Sequence, residues 1–114
     1  MVVDDEAEIL YVVELILQHH HFIVQTISEW SNIAAAITAF IPDIILLDID
    51  LNGADGGDIC KNLKQSKETQ QIPIILFSGY NLSEKYVRES GAQGFLIKPF
   101  EPSNLVKLIS DNIK

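Results

Sequence analysis

The residues of this chain that could do chemistry together are Asp4 and Asp5, Asp48, Ser78 and Lys98, each at the end of a short apolar run. Three carboxylates brought together repel, and burial raises their pKa values unless a cation neutralises them. A divalent metal would do so. Mg²⁺ takes oxygen ligands in octahedral geometry and keeps several waters, so one or two carboxylates, a carbonyl and a phosphoryl oxygen would complete its shell. Lys98 is a point charge on a long stem, suited to a phosphoryl oxygen, and the Ser78 hydroxyl can donate to another. These are parts for phosphoryl transfer, in which positioning and charge neutralisation supply the catalysis.

For such distant residues to meet, the apolar runs must lie side by side. Short runs rich in β-branched residues occur at Val2-Val3, Phe22-Ile23-Val24, Ile44 to Leu47, Ile74 to Phe77 and Phe95-Leu96-Ile97. Each is too short for a helix and predicts a strand buried on both faces. Between them, helical spacing links Ile9, Val12, Val13 and Ile16, then Ile33, Ala36, Ile37 and Phe40, then Ile59 and Leu63, and finally Leu105, Leu108 and Ile109. The stretch from Asn81 to Ser90 offers a weaker stripe of Leu82, Tyr86 and Val87. Pro42 stops a helix ending at Phe40, Gly91 and Gly94 bracket the turn into the last strand, and Ser103 after Pro102 reads as the cap of the last helix. The alternation predicts an α/β fold of five β-α units, a parallel sheet with helices on both faces. Ligands then bind beyond the carboxyl ends of the strands, where the strand order reverses.

With 114 residues the chain has room for one domain, and 47% hydrophobic against 21% charged residues is an ordinary globular composition. A net charge of -8 repels phosphate backbones and argues against direct nucleic-acid binding, while an excess of carboxylates suits a hard cation. No apolar run approaches a membrane span and no basic leader precedes one, so a cytoplasmic protein is expected. Cys60 is the only cysteine, which leaves no internal disulfide.

Asp4-Asp5-Glu6 after strand one, Leu46-Leu47-Asp48 ending strand three, Asp55-Gly56 opening the next helix, Ser78-Gly79 after strand four and Phe95-Leu96-Ile97-Lys98-Pro99-Phe100 together resemble the receiver domains of two-component response regulators. The resemblance covers residues 1–114 and implies a flavodoxin-like three-layer sandwich with strand order 2-1-3-4-5. It implies Asp48 as phosphoacceptor, Mg²⁺ held by Asp5, Asp48 and the backbone carbonyl of Asp50, and Asp4 acting on the ion through water. Ser78 and Lys98 would grip the phosphoryl group, Phe95 would take the aromatic switch position, and the Lys98–Pro99 peptide is similar to one that is cis in the family. The implied donor is a phosphohistidine of a sensor histidine kinase or phosphotransfer protein, docking near the first helix. An effector domain or output protein would meet the last helix and fifth strand, and a homodimer is left open. The implied role is a switch with at most self-phosphorylation and self-dephosphorylation activity, not a metabolic enzyme.

The chain departs from the family at several points. Asn52 stands where proline is usual, and Phe95 replaces a tyrosine, so any switch must work by packing. Asp50 and Tyr80, two residues beyond Asp48 and Ser78, are expected to flank the hydrolytic water and set the phosphoryl lifetime. The first strand is short for one in mid-sheet, which points to a start upstream or a trimmed chain. A free-standing regulator and a domain of a larger protein both remain open.

Plainer readings stand beside these. Asp4-Asp5-Glu6 alone would suit any helix start, Ser78 alone an ordinary turn, Lys98 alone a solvated strand end, and Phe95 serves equally as plain core. His19-His20-His21 read as a solvated helix end, because adjacent helical residues point apart. Trp30 reads as an aromatic packed on the helix it starts, and Cys60 as a small buried hydrophobe. Two rival functions are a pseudo-receiver that only docks partners and a haloacid-dehalogenase-type phosphatase, suggested by Asp48-Ile49-Asp50.

Overall fold

The structure, a computed structural model, describes residues 1–113. Its strands are β1 Val2–Val3, β2 Thr26–Ile27, β3 Ile45–Asp48, β4 Asp50–Leu51, β5 Ala54–Asp55, β6 Ile74–Ser78 and β7 Gly94–Ile97. Its helices are α1 Ala7–His19, α2 Ile33–Phe40, α3 Gly56–Gln65, α4 Glu84–Ser90 and α5 Pro102–Asn112. The main sheet is parallel with order β2-β1-β3-β6-β7, which is the expected 2-1-3-4-5 when its own five strands are counted. β4 and β5 form a small antiparallel hairpin that the run pattern did not announce.

Because successive strand residues point to opposite faces, each central run feeds two cores. Val3, Ile45, Leu47, Ile74 and Leu76 pack with Ile33 of α2 and Cys60 of α3. Val2, Leu46, Ile75 and Phe77 pack on the other face with Leu10, Val13 and Leu17 of α1 and Leu105 and Ile109 of α5. This is why the strands read as unbroken apolar runs, and Cys60 is a buried hydrophobe as expected.

The second strand needs correction. Phe22-Ile23-Val24 is not a strand, and pairing begins at Thr26, opposite Val2. The reason lies at the end of α1, where the His21 amide donates to Gln18 O and the Phe22 amide to Leu17 O, with His21 left-handed at φ 69°. That is a Schellman turn, normally built on glycine. It turns the chain so that Phe22 and Val24 pack on the α1/α5 core while Ile23 stays in solvent. The three histidines are exposed there, a solvated helix end. A smaller correction concerns α5, which opens at Pro102 with Glu101 in the cap position; Ser103 lies inside the helix. Proline at the first helical position loses no hydrogen bond, since that amide has no partner in the helix.

Candidate functional site

The carboxyl rim of the sheet collects the charged groups. β1 and β3 pair side by side and place Asp4 and Asp48 next to each other at the point where strand order reverses. Both are buried, at 0% and 3% exposure. Lys98 leaves the end of β7 through a cis peptide to Pro99, and its amide donates to Ser78 O at 2.7 Å. Its Nζ donates to Asp4 Oδ2 at 2.8 Å and lies 3.2 Å from Asp48 Oδ1 and 3.9 Å from Glu6 Oε1. Asp4 Oδ1 also accepts from the Glu6 amide at 2.9 Å, which holds the entry to α1.

Burial pushes the Asp48 carboxyl up to about 6, and the neighbouring Asp4 charge adds to this. Lys98 and the Asp50 amide work in the opposite direction. For Lys98, burial would lower its pKa, but the hydrogen bond and charge of Asp4, and then Asp48, outweigh it, so its ammonium is held more firmly.

Asp5 and Glu6 are exposed, and the carboxylate oxygens of Asp4, Asp5 and Glu6 lie within 4.8 Å of one another, a group able to hold a metal ion. The chemistry of this donor set fits a divalent cation: Asp4, Glu6 and Asp48, two of them buried, lie within 3.9 Å of the Lys98 ammonium, and Asp5 clusters with Asp4 and Glu6. Glu6 was not singled out as a site residue in the sequence, although its place beside Asp4-Asp5 was the available signal.

Asp48 is followed by a tight loop. The Gly56 amide donates to Ile49 O at 2.9 Å, and a Cβ at Gly56 would collide with the Asp48 carbonyl, so this close approach requires glycine. Asp55 caps α3, accepting from Gly57 N at 2.7 Å and from Asp58 N at 3.4 Å. The Tyr86 hydroxyl of α4 donates to the same Asp55 oxygen at 2.6 Å and accepts from Gly57 N at 3.1 Å. Trp30, in a 3-10 turn before α2, donates its indole N–H to Asn52 O at 3.0 Å. No local pattern signals these two long-range links, and both escaped the sequence reading.

Ser78 is fully buried at the end of β6, yet its hydroxyl bonds to its own loop, donating to Tyr80 O and accepting from Tyr80 N at 3.0 Å. Its hydroxyl therefore sits on the same rim as the Lys98 ammonium and the Asp48 carboxylate without bonding to either. Asp50 and Tyr80 are exposed, and Phe95 is half-buried against the α2/α3 core.

A doubly wound α/β domain with an acidic pocket and a lysine at its topological switch point is the frame of a phosphorylation-controlled signalling module. The chain belongs to the response regulator receiver domain family, which matches residues 1–110. It is 33% identical over 111 residues to the phosphate regulon transcriptional regulatory protein PhoB of Escherichia coli K12, covering 96% of this chain and 48% of that protein. It is 28% identical over 116 residues to the DNA-binding response regulator MtrA of Mycobacterium tuberculosis, covering 100% and 50%. The chain thus spans about half the length of these relatives. Among solved structures, chemotaxis protein CheY4 of Vibrio cholerae superposes with a TM-score of 0.90 at 25% identity, covering 98% of this chain and 95% of that one. A response regulator of Chloroflexus aurantiacus gives 0.89 at 29%, covering 96% and 92%. Domains of this family are regulatory switches rather than classical enzymes. The phosphatase and docking-only alternatives find no support, and Asp48 ends the third strand rather than the first. Among the described residues, no helix is long and apolar enough to cross a membrane.

Proposed function

We propose that the chain, as one receiver domain over residues 1–114, accepts a phosphoryl group on Asp48 from a phosphohistidine of a sensor histidine kinase or phosphotransfer protein. The observation that carries this is the placement of Lys98 Nζ between Asp4 and Asp48, at 2.8 and 3.2 Å. A carboxylate oxygen of Asp48 attacks phosphorus, the nitrogen–phosphorus bond of the donor breaks, and an acyl phosphate forms. Lys98 then holds a phosphoryl oxygen, the Ser78 hydroxyl leaves Tyr80 to donate to another, and water later hydrolyses the acyl phosphate, returning the carboxylate and releasing inorganic phosphate.

Asp5, Asp48 and the Asp50 carbonyl would hold Mg²⁺ directly, with Asp4 acting through water. Bound there, the ion would neutralise charge on the phosphoryl oxygens. Movement of Ser78 would open space for the half-buried Phe95 to rotate inward and change the surface of β7, α4 and α5. Asp50 and Tyr80, both exposed at the mouth, would set the lifetime of the phosphorylated state.

Because PhoB and MtrA are regulators about twice this length, the domain would govern a linked effector or a separate output protein, with a homodimer as one output state. It would meet its kinase in the cytoplasm. Intact mass after incubation with a small phosphodonor and Mg²⁺ tests the reading. One phosphoryl group should appear on the wild type and none on Asp48→Asn; label on Asp48→Asn, or on neither, would overturn it. Longer or shorter phosphoryl lifetimes in Asp50→Asn and Tyr80→Ala would support their gating role, and unchanged lifetimes in both would reject it.

A further inference from the structure

The hairpin of β4 and β5 follows directly after Asp48 and has little core of its own: Leu51 is buried, Ala54 is half-buried, and Asp50, Asn52, Gly53 and Asp55 are exposed. Asp50 pairs with Asp55 in the hairpin and stands two residues beyond Asp48, so the position of this backbone bears directly on the site. The base of the hairpin is held by Tyr86 through Asp55 and by the packing of Gly56. Its tip, Asn52-Gly53, turns with Gly53 at φ +86°, and the link found there from outside the hairpin is the indole N–H of Trp30, 22 residues away. Trp30, Asn52, Leu51 and Asp5 line one hollow of about 340 Å³, so the tether and a proposed metal ligand share a wall.

We propose that Trp30 is a positioning residue for cation binding: its hydrogen bond to Asn52 O holds the hairpin tip so that the Asp50 backbone faces Asp5 and Asp48. A hairpin of this size is marginal unless anchored, and ordering it anew at each binding event weakens affinity. The inference rests on the acidic pocket being the Mg²⁺ site. It has a chemical corollary at Asn52, which precedes a glycine of positive φ. Proline fits that second turn position and fixes its φ, so it supplies by covalent constraint what the indole supplies by hydrogen bonding.

The test is a calorimetric Mg²⁺ titration of the full chain, with amide hydrogen exchange of the metal-free protein followed by NMR. Trp30→Phe keeps the ring and loses the donor. It should weaken Mg²⁺ binding about fivefold and speed exchange in the Asp50–Asp55 hairpin while leaving β6 unchanged. Adding Asn52→Pro should bring affinity back to within about twofold of wild type, as expected if the two constraints substitute for each other. Wild-type binding with an unchanged constant in Trp30→Phe overturns this proposal alone. So does a loss that Asn52→Pro does not restore, or exchange that quickens through the whole sheet, since either marks plain packing. A wild-type chain that takes up no Mg²⁺ sinks the reading of the pocket and this proposal with it.

Discussion

The two rims of the central sheet are built on opposite terms. At the carboxyl ends of the strands, Asp4, Asp48, Ser78 and Lys98 are buried or nearly so and satisfied by one another or by backbone. At the amino ends, a hollow of about 400 Å³ is lined largely by Leu17, Phe22, Ile41, Ile44 and Ile109, with Asp43 and His21 at its edge. The first rim stores like charges close together, which works against folding. The second is apolar packing, which works for it. Function and stability are thus separated along the strand axis, and substitutions at the two rims should separate them in opposite directions.

The largest effect on function is expected from Asp48→Asn. It should abolish phosphoryl uptake on mass analysis, and at pH 8 without metal it should raise stability by about 1–3 kcal/mol. The gain follows because a neutral amide removes a buried carboxylate whose pKa is pushed up by burial and by Asp4. A thermal midpoint below that of wild type would show that the Lys98 ion pair outweighs this repulsion.

At the other rim, Ile109 of α5 is 1% exposed and lines the apolar hollow. Ile109→Ala should cost about 2–5 kcal/mol in urea unfolding. The Mg²⁺ constant of the folded protein should stay within about twofold. If that constant drifts with stability, the rims are not independent and the contrast drawn above fails.

The pH dependence sharpens the contrast at a single group. A carboxyl whose native pKa lies above its unfolded value binds its proton more tightly when folded. The stability Asp48 contributes is therefore fully present below about pH 4 and lost as pH rises through about 6. The loss across that window is up to about 3 kcal/mol. Subtracting the metal-free pH–stability curve of Asp48→Asn from that of wild type should isolate a fall over this range. Mg²⁺ requires the deprotonated carboxylate, so its affinity should drop about tenfold per pH unit below 6. A flat difference curve, or metal affinity indifferent to pH there, would place Asp48 in a more hydrated setting than its 3% exposure implies.

How much of this was legible beforehand varies with the reach of each interaction. The parallel five-stranded sheet and the meeting of Asp4, Asp48 and Lys98 on one rim were readable because strands buried on both faces leave unbroken apolar runs whose polar ends converge, while the order of the strands followed from the family resemblance. Phe22-Ile23-Val24 misled because its apolar alternation is real, with Phe22 and Val24 packed and Ile23 outside. Among the described residues no strand pairs with it, and His21 taking the glycine place in the Schellman turn left no letter to read. The Trp30–Asn52 and Tyr86–Asp55 links join residues 22 and 31 positions apart, where one aromatic residue looks like any other. The Ser78 hydroxyl was placed on the right rim, but its bonding to Tyr80 depends on a loop path that strand periodicity does not encode.

The smallest predicted effect lies at the apolar rim and comes from backbone rather than packing. α2 ends at Phe40, and Ile41, at φ 54°, carries the chain into Pro42 through the left-handed region while 78% exposed. A β-branched residue there is strained by about 1–2 kcal/mol. Proline next in sequence keeps the helix from absorbing Ile41 in the ordinary way. Ile41→Gly removes the steric cost but adds about 0.5–1 kcal/mol of backbone entropy to be lost on folding, leaving a net gain near 0.5 kcal/mol. Because the side chain is mostly in solvent, little apolar burial offsets this. Urea midpoints should therefore rise slightly with an unchanged slope, and Mg²⁺ affinity should not move. A midpoint that falls would mean the exposed edge of Ile41 contributes more to the apolar hollow than its backbone costs, and the amino rim would then be stabilised by contacts reaching almost to its surface.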